Sequence, residues 1–496
     1  MSRALLVDLG GSLLKAGVYE LSGRPLATER VLNAFVEDDI DKAEQNPEVW
    51  WEALRTAVDR LDEQIPGGLT GVVAVAICGF TRSQVFLDRE GEPVRPAITF
   101  RDSRAQGAVE DVLLRPQVKN HPLARHLNAF HPLARLLWLK HNEEAAWKNT
   151  QSVVEPKDYL NFKLTGSLAS DSISQFWLVS AMEGGIGALA ELAGLDKAVL
   201  PTIRRPHEVV GTVLANMPGS LSKIAGAAVF CGSNDTWTAA AGIGALKPSR
   251  GYCISGSSEV FGIMSDEKAE APGLVTIPWG EAMWQLGGPG LNGANVLTWM
   301  VNSLMPDERP FEERLAILLS QQTGLPLLFH PYLHGERTPL WDRDIRACFM
   351  GLMAAHKPGD LVRGTMEGIS FVNRMVLERA EAASGVEVQE IRLAGGGARN
   401  AYWNQIRADI LKRPVLVSDT EEVGLLGCLA LARLGLSLAN DIGEAADGIS
   451  TRFLRYEPRL AESRVYDDLY AVFQDTVETV RLASHRLAAL SRNARH

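Results

Sequence analysis

The chain opens with short apolar runs broken by glycine. Residues 4–7 and 13–19 predict two strands joined through Gly10-Gly11, and the turn Leu21-Ser22-Gly23-Arg24-Pro25 leads into a third. From Pro47 to Ile65 the apolar positions Val49, Trp50, Leu54, Val58 and Leu61 recur at helical spacing, with Pro47 suited to the first turn. Residues 72–78 form a continuous apolar run of strand length. Following a helix, it predicts a β–α–β element of a mixed or parallel sheet. Further strands are expected at 86–87 and 96–100, and helices at 133–147 and 181–200, the latter interrupted by glycines.

The second half repeats the theme rather than the letters. Residues 227–231 read as a strand, 236–246 as a helix of small residues, and 251–263 as strand, turn and strand. A long helix is predicted over 361–383, then a strand at 391–394 running into Gly395-Gly396-Gly397, then a helix over 401–411. Val465, Leu469, Val472, Phe473, Val477 and Val480 predict a C-terminal packing helix over 465–490. No low-complexity linker interrupts the chain, so a domain boundary is expected between Gly242 and Pro248.

A chain of 496 residues exceeds one ordinary core, which predicts two domains. Its formal charge of −10, with no offsetting basic stripe, argues against a nucleic-acid role. A local lysine or backbone nest can still hold a phosphorylated ligand. The five cysteines (Cys78, Cys231, Cys253, Cys348, Cys428) are dispersed and form no CxxC pair, which fits a reducing cytoplasm. No apolar run reaches the roughly 18 residues of a membrane span, and the N-terminus lacks signal-peptide architecture. A soluble cytoplasmic protein without membrane partners is expected.

Two glycine-rich turns bring in candidate chemistry. Asp8-Leu9-Gly10-Gly11-Ser12, with Lys15 three residues on, can set a carboxylate at a strand end while turn amides meet phosphate. Ser255-Gly256-Ser257-Ser258 follows a second strand, and between the two turns stands Gly232-Ser233-Asn234-Asp235-Thr236. Phosphoryl transfer needs amides around phosphates and a carboxylate beside the acceptor hydroxyl. Each segment also has a plainer reading. The first can be a hairpin turn with Asp8 solvated, and Asn234 or Asp235 can be a helix N-cap. Gly395-Gly396-Gly397-Ala398-Arg399-Asn400 can be a tight turn, although one glycine would usually satisfy it. The segment from Pro331 to Pro339 can be a solvated loop, or one ordered by an internal Glu336–Arg337 network.

Together these segments resemble the FGGY family of carbohydrate kinases, within the actin-like, sugar kinase and heat-shock ATPase superfamily. The resemblance runs from Asp8 to about Leu436. Its most specific stretch is Pro331-Tyr332-Leu333-His334-Gly335-Glu336-Arg337-Thr338-Pro339, followed by Gly351-Leu352 and Glu367-Gly368. Next come Gly395 to Asn400 with Trp403 and Ala408-Asp409, and Lys157-Asp158-Tyr159 with Leu164-Thr165-Gly166. The resemblance implies an α/β fold of two actin-like (ribonuclease H-like) domains with an ATP/substrate cleft between them. Residues 1–243 would carry the sugar site and first phosphate loop, and residues 244–496 the nucleotide site and a C-terminal helix.

It further implies Asp235 as the catalytic base, with Asn234 beside it in the substrate site, and Asp8 near magnesium. Gly10, Gly11, Ser12 and Lys15, then Gly256 and Ser257, would surround phosphate. Ala294, Thr298, Gly395, Gly396, Gly397 and Asn400 would flank the nucleotide. Departures are informative. Gly11-Ser12 stands where many relatives have Thr with Thr or Ser, and Ser257 where they have Thr. Thr81, Arg82 and Phe100 occupy the substrate positions without reproducing the xylulose or the glycerol pattern. The expected activity is ATP-dependent, magnesium-assisted phosphorylation of a small sugar or polyol, most simply a ketopentose such as xylulose. A sugar-acid kinase using Arg82 on a carboxylate is one alternative; hydrogen bonds to neutral hydroxyls, or an internal pair with an acid such as Asp102, are the plainer roles for that arginine. A non-kinase actin-like ATPase or ligand sensor is another, and a homodimer stays open.

Overall fold

The computed structural model describes residues 2–33, 36–39, 42–183, 187–195, 199–280, 282–449 and 452–493. Its contacts divide the chain into two compact units, Met1–Gly242 with Glu422–Ser450, and Ile243–Glu421 with Thr451–His496.

In the first unit, strands β1 (Arg3–Leu9), β2 (Leu13–Glu20) and β3 (Pro25–Leu32) form an antiparallel meander. Strand β4 (Val72–Gly79) pairs parallel to β1, and β6 (Ala228–Phe230) parallel to β4, while β5 (Val209–Thr212) closes the edge antiparallel. The crossover from the meander to β4 is helix α1 (Pro47–Gln64), started by the Asn46 side chain accepting from the Glu48 amide and by Pro47 at its first position. One face of the sheet buries Trp50, Leu54, Val58 and Leu61 of α1 against Leu5, Val7, Val75 and Ile77. The other face, built from Ala4, Leu6, Ala74 and Ala76, is covered by residues from far along the chain: Leu425, Leu426, Leu429 and Ala432. Between β4 and β5 lies a helical region with its own core, including Leu133, Leu136, Leu137 and Leu139 of helix α2 (Pro132–Asn142).

The second unit repeats this plan. Strands β7 (Arg250–Ser255), β8 (Glu259–Ser265), β9 (Val275–Gly280) and β10 (Met283–Pro289) are antiparallel; β11 (Glu390–Ala394) and β12 (Val415–Ser418) add in parallel, and β13 (Phe453–Tyr456) closes the edge. Both sheets run antiparallel strands, three in the first and four in the second, then two parallel strands and an antiparallel edge strand. The long helix Pro358–Ser384 and the helix Ala401–Leu411 cover it.

Three expectations are corrected. The run 133–147 divides into Pro132–Asn142 and Glu144–Asn149, because Glu143 at φ −134° leaves the helical region. The stretch 181–200 holds only the end of Phe176–Met182 and the single turn Leu189–Leu192, with 184–186 and 196–198 outside the described residues. The C-terminal helix, Leu460–Asn493, forms as predicted and buries Phe473 and Val480 with Leu469 and Val477 packed against the core, but two positions of its stripe differ. Val465 and Val472 are exposed, whereas Tyr466 and Tyr470 are buried. The tyrosines win that face because their hydroxyls donate to Glu367 (3.0 Å) and Glu378 (2.9 Å) while the rings pack.

Candidate active site

Asp8 lies near the end of β1, one residue before the Gly10–Ser12 turn. That turn is fixed from outside by Asn33, whose side-chain amide donates to the Gly10 carbonyl (3.0 Å) and whose backbone amide donates to the Ser12 carbonyl (2.9 Å). Gln45 in turn donates to the Asn33 side chain at 2.7 Å. With the carbonyls held, the turn presents Gly11 and an exposed Ser12. Lys15 is ion-paired with Glu422 at 3.2 Å, next to the start of helix α5 (Val423–Gly435). That helix meets Asp8 at its N-terminus: a Cβ on Gly424 would come within 2.5 Å of the Asp8 carboxylate. A residue with any side chain at 424 would therefore displace the acid from the helix end. Burial holds the Asp8 carboxyl above its ordinary range, with Lys15 opposing.

Asp235 begins helix α4 (Asp235–Gly242). The capping function falls to its neighbour: Asn234 Oδ1 accepts from the Trp237 amide at 2.9 Å. Asp235 accepts from the Thr236 amide (2.6 Å) and hydroxyl (3.2 Å), both through Oδ1. Its pKa is pushed up to about 6, first by burial and then by the charge of Asp8. Helices α4 and α5 cross almost backbone to backbone, since a Cβ on Gly427 would lie 1.8 Å from the Thr238 carbonyl and one on Gly242 2.0 Å from the Val423 carbonyl. The glycines Gly424 and Gly427, one turn apart, thus dock α5 against both acids' supports.

A buried ion cluster carries the loop before Asp235. Lys157, at the start of helix α3 (Pro156–Thr165), pairs with Asp158 and with Asp171 (3.0 Å) and donates to the Cys231 carbonyl (3.1 Å). Asp171 accepts from Ser233 at 2.8 Å, and Asn161 donates to the Cys231 carbonyl at 2.9 Å. Gly232, at φ +73°, presses so closely on β4 that a Cβ would sit 1.9 Å from the Ile77 carbonyl. The segment 231–234 is therefore pinned from two sides, and Asp235 follows it. Sequence reading singled out Lys157-Asp158 only as a motif. An adjacent Lys-Asp pair at the start of a helix was the available signal for a buried network.

Thr81, Arg82 and Phe100 lie on two segments stitched to each other in the same unit. Gln84 and Ile98 exchange backbone hydrogen bonds (2.9 and 3.1 Å), and the Phe100 amide donates to Ser83 Oγ at 3.0 Å. Thr81 donates to the Ser174 carbonyl, and Arg82 adopts a left-handed backbone at φ +59°. Phe100 is 37 % exposed, and its ring packs edge-on against Phe80, which meets Trp50 the same way. Asp102, an internal partner weighed for Arg82, accepts from the Arg104 side chain and from the amides of Ala43 and Arg104.

In the second unit the β7–β8 turn is closed by Gly256 donating to the Ser258 carbonyl (3.0 Å), with Ser257 exposed at the tip. The helix Ala294–Leu304 docks on it. The Ala294 amide donates to the Gly256 carbonyl (3.1 Å) and the Asn295 amide to the Ser257 carbonyl (3.0 Å), while Thr298 stays exposed. The three glycines after β11 separate by function. A Cβ on Gly395 would lie 2.4 Å from the Ser255 carbonyl and one on Gly397 2.1 Å from Ser255 Oγ, whereas Gly396 faces open space. Packing accounts for the outer two. Asn400 caps the helix Ala401–Leu411 by accepting from the Trp403 amide at 2.9 Å.

Beneath this turn lies Arg407, which sequence reading missed. It donates to the Gly397 carbonyl (3.0 Å), Ser255 Oγ (3.0 Å) and Glu259 (2.5 Å), and stacks on Trp403. One buried guanidinium thus joins both glycine turns of this unit. The 331–339 loop is ordered by Glu336, one of the two readings the sequence left open, in a network that reaches beyond Arg337. Its carboxylate accepts from the Arg337 amide (2.9 Å), the Leu291 amide (2.7 Å) and Asn292 (2.8 Å), tying the loop to the entry of the helix Ala294–Leu304.

Residues 3–242 match the N-terminal domain model of the FGGY family of carbohydrate kinases, and residues 251–436 match its C-terminal domain model. The xylulose kinase of Lactococcus lactis is 26% identical, with 98% of this chain and 99% of that protein aligned. The gluconokinase of Bacillus subtilis is 24% identical over 95% of each. The solved xylulose kinase and gluconate kinase of Lactobacillus acidophilus, each 22% identical, superpose with TM-scores of 0.85 and 0.86. They cover 98% of this chain and 100% and 99% of their own. Among the described residues no helix is long and apolar enough to cross a membrane.

Proposed function

This chain belongs to the FGGY family of carbohydrate kinases, and from that premise we propose that it moves the terminal phosphoryl group of ATP onto a hydroxyl of a ketopentose, xylulose foremost. The observation that carries the site assignment is Asp235, an acid relieved of capping by Asn234, tuned to about 6 and facing the charge of Asp8. A carboxylate with that pKa is mostly ionised at neutral pH yet basic enough to take a proton. As the sugar hydroxyl attacks phosphorus and the bond to the leaving ADP breaks, Asp235 receives the hydroxyl proton.

Asp8 fits a magnesium ion carried mainly by water and phosphate: it is a carboxylate at the mouth of a glycine turn. Among the described residues no group of three or more His, Cys, Asp or Glu side chains forms a cage, and magnesium does not need one. When bound, magnesium would neutralise charge on the phosphates. The amides around Gly10 to Ser12 and Gly256 to Ser257, with Lys15, would do the same from the protein side, and Gly396 and Asn400 would face the adenosine. Thr81, Arg82, Phe100 and Asn234 would line the sugar. Dispersed, unpaired cysteines support a cytoplasmic setting.

Coupled ADP release across pentuloses, hexuloses, polyols, deoxy-sugars and aldonates tests the reaction. Stimulation by a neutral pentulose is the expected result, and release indifferent to every sugar would refute it. The gluconokinase likeness and Arg82 keep aldonates in the panel, where turnover of aldonates alone would reassign the substrate to a sugar acid.

The triple glycine gives a second test. Gly396→Ala is expected to leave the melting temperature nearly unchanged while raising the KM for ATP. Gly397→Ala forces Ser255 aside and is expected to destabilise by about 1–3 kcal/mol, as overpacking does. Thermal melts read beside ATP titrations separate the two, and equal melting losses would contradict the assignment.

A further inference from the structure

Helix α2 carries one charged residue in the middle of its buried stripe. Leu133, Leu136, Leu137 and Leu139 form the apolar face, and Arg135 among them is fully buried. A leucine there would pack without the several kcal/mol that desolvating a guanidinium costs. The hydrogen bonds of Arg135 say what the charge does instead. Nη1 donates to the Arg82 carbonyl and to Gln84 Oε1 (2.8 Å), and Nη2 donates to the carbonyls of Thr99 (2.7 Å) and Asp102 (3.1 Å). Three of the four acceptors are backbone, and they come from the two segments that carry Thr81, Arg82 and Phe100. The planar fork of the guanidinium fixes four oxygens at once, which an ammonium cannot do.

The contact at Arg82 has a particular consequence. Residue 82 is left-handed at φ +59°, a conformation that costs a non-glycine residue of order 1 kcal/mol and persists only where the surroundings enforce it. Capture of its carbonyl by Arg135 is such an enforcement, and it sets the direction in which the Arg82 side chain leaves the backbone. The Glu155 carboxyl, accepting from the Ser83 amide at 3.1 Å, holds the next residue from the far side.

We propose that Arg135 is a positioning residue for sugar recognition: it clamps residues 82–84 to 99–102 and keeps Arg82 left-handed, so that Thr81, Arg82 and Phe100 meet the sugar as one preformed surface. The proposal rests on the reading that those three residues contact the sugar. It concerns the sugar alone, because all the clamped groups belong to the first unit, whereas the triple glycine and the β7–β8 turn belong to the second.

The test compares the full-length wild type with Arg135→Lys and with the milder Gln84→Met, which removes one acceptor and spares every backbone contact. Hydrogen exchange of the amides at 81–84 and 98–102 reads the clamp without reference to activity, and steady-state kinetics read its use. Arg135→Lys is expected to speed exchange in those two segments alone. It should also raise the sugar KM about 10- to 100-fold, the scale of an ångström-sized misplacement. The ATP KM should stay within about two-fold. Gln84→Met should move the same quantities in the same direction, by about five-fold in sugar KM, the worth of one hydrogen bond. If Arg135→Lys does not fold, Gln84→Met carries the test alone.

Unchanged exchange overturns the clamp. Faster exchange with an unchanged sugar KM, or sugar and ATP KM rising together, overturns its role in recognition. A wild type that turns over no sugar refutes the kinase reading and with it the recognition role, while the exchange result still decides the clamp.

Discussion

Asp235→Asn is expected to lower kcat/KM by about 10²- to 10⁴-fold, the range of a lost general base, and at the same time to raise the melting temperature at pH 7 by a few degrees. The two effects have one cause. The folded protein holds Asp235 at a pKa of about 6 against an ordinary 3.8, because burial and the Asp8 charge oppose its ionisation. Each unit of such a shift is about 1.4 kcal/mol, so the rise from 3.8 to about 6 corresponds to about 3 kcal/mol at most. At pH 7 the carboxyl is ionised in both states, so the folded state bears that penalty and the amide removes it.

The sign of the pH dependence follows. Between pH 6 and 4 the folded protein binds a proton that the unfolded chain does not, so the wild type gains stability relative to Asp235→Asn as pH falls. The gap in melting temperature should narrow from pH 7 to pH 5. The kcat/KM of the wild type should fall on the acid side of about pH 6. A variant that is less stable than wild type at pH 7, or that keeps near-normal turnover, would remove Asp235 from the role of base.

Lys157→Met is expected to destabilise the first unit by about 3–5 kcal/mol, the usual result of removing one partner from a buried ion cluster. Lys157 is almost wholly buried and faces Asp158 and Asp171, also fully buried. Without the ammonium both carboxyls are uncompensated, and the Cys231 carbonyl loses a donor. Replacing Lys157, Asp158 and Asp171 together by Met, Asn and Asn should cost less than Lys157→Met alone, since no charge is then stranded. The comparison by denaturant melting distinguishes a stranded charge from a simple packing defect. The opposite ranking would rule out the stranded charge. Activity should fall with the single replacement beyond what unfolding explains, because Ser233 and the 231–234 segment orient Asp235.

Local periodicity made most of the fold legible. The β1–β2 turn, helix α1, β4 and the helix Ala401–Leu411 each carry their own signal in apolar spacing, caps or glycine. What escaped was decided by distant partners. Glu143 ends α2 inside a stretch whose spacing reads as one helix, and the C-terminal helix turns its tyrosines inward because Glu367 and Glu378 wait there. The acids Asp8 and Asp235 stood out by their glycine-rich settings. Arg135, Arg407 and Asn33 did not, because a residue that holds carbonyls has no motif of its own. A lone arginine within the run Leu133 to Leu139 was the trace that the first of them left.

The helix α5, residues 423–435, covers the second face of the first sheet although some 180 residues separate it from the rest of that unit. Synthesis therefore delivers the first unit unfinished: when Gly242 leaves the ribosome, Leu6, Ala74, Ala76 and Phe230 still lack their cover, and most of the second unit must be made before it arrives. Chain order and folding order part company here. The nascent sheet has to wait with an apolar face open, a stage at which chaperone engagement or aggregation competes with folding.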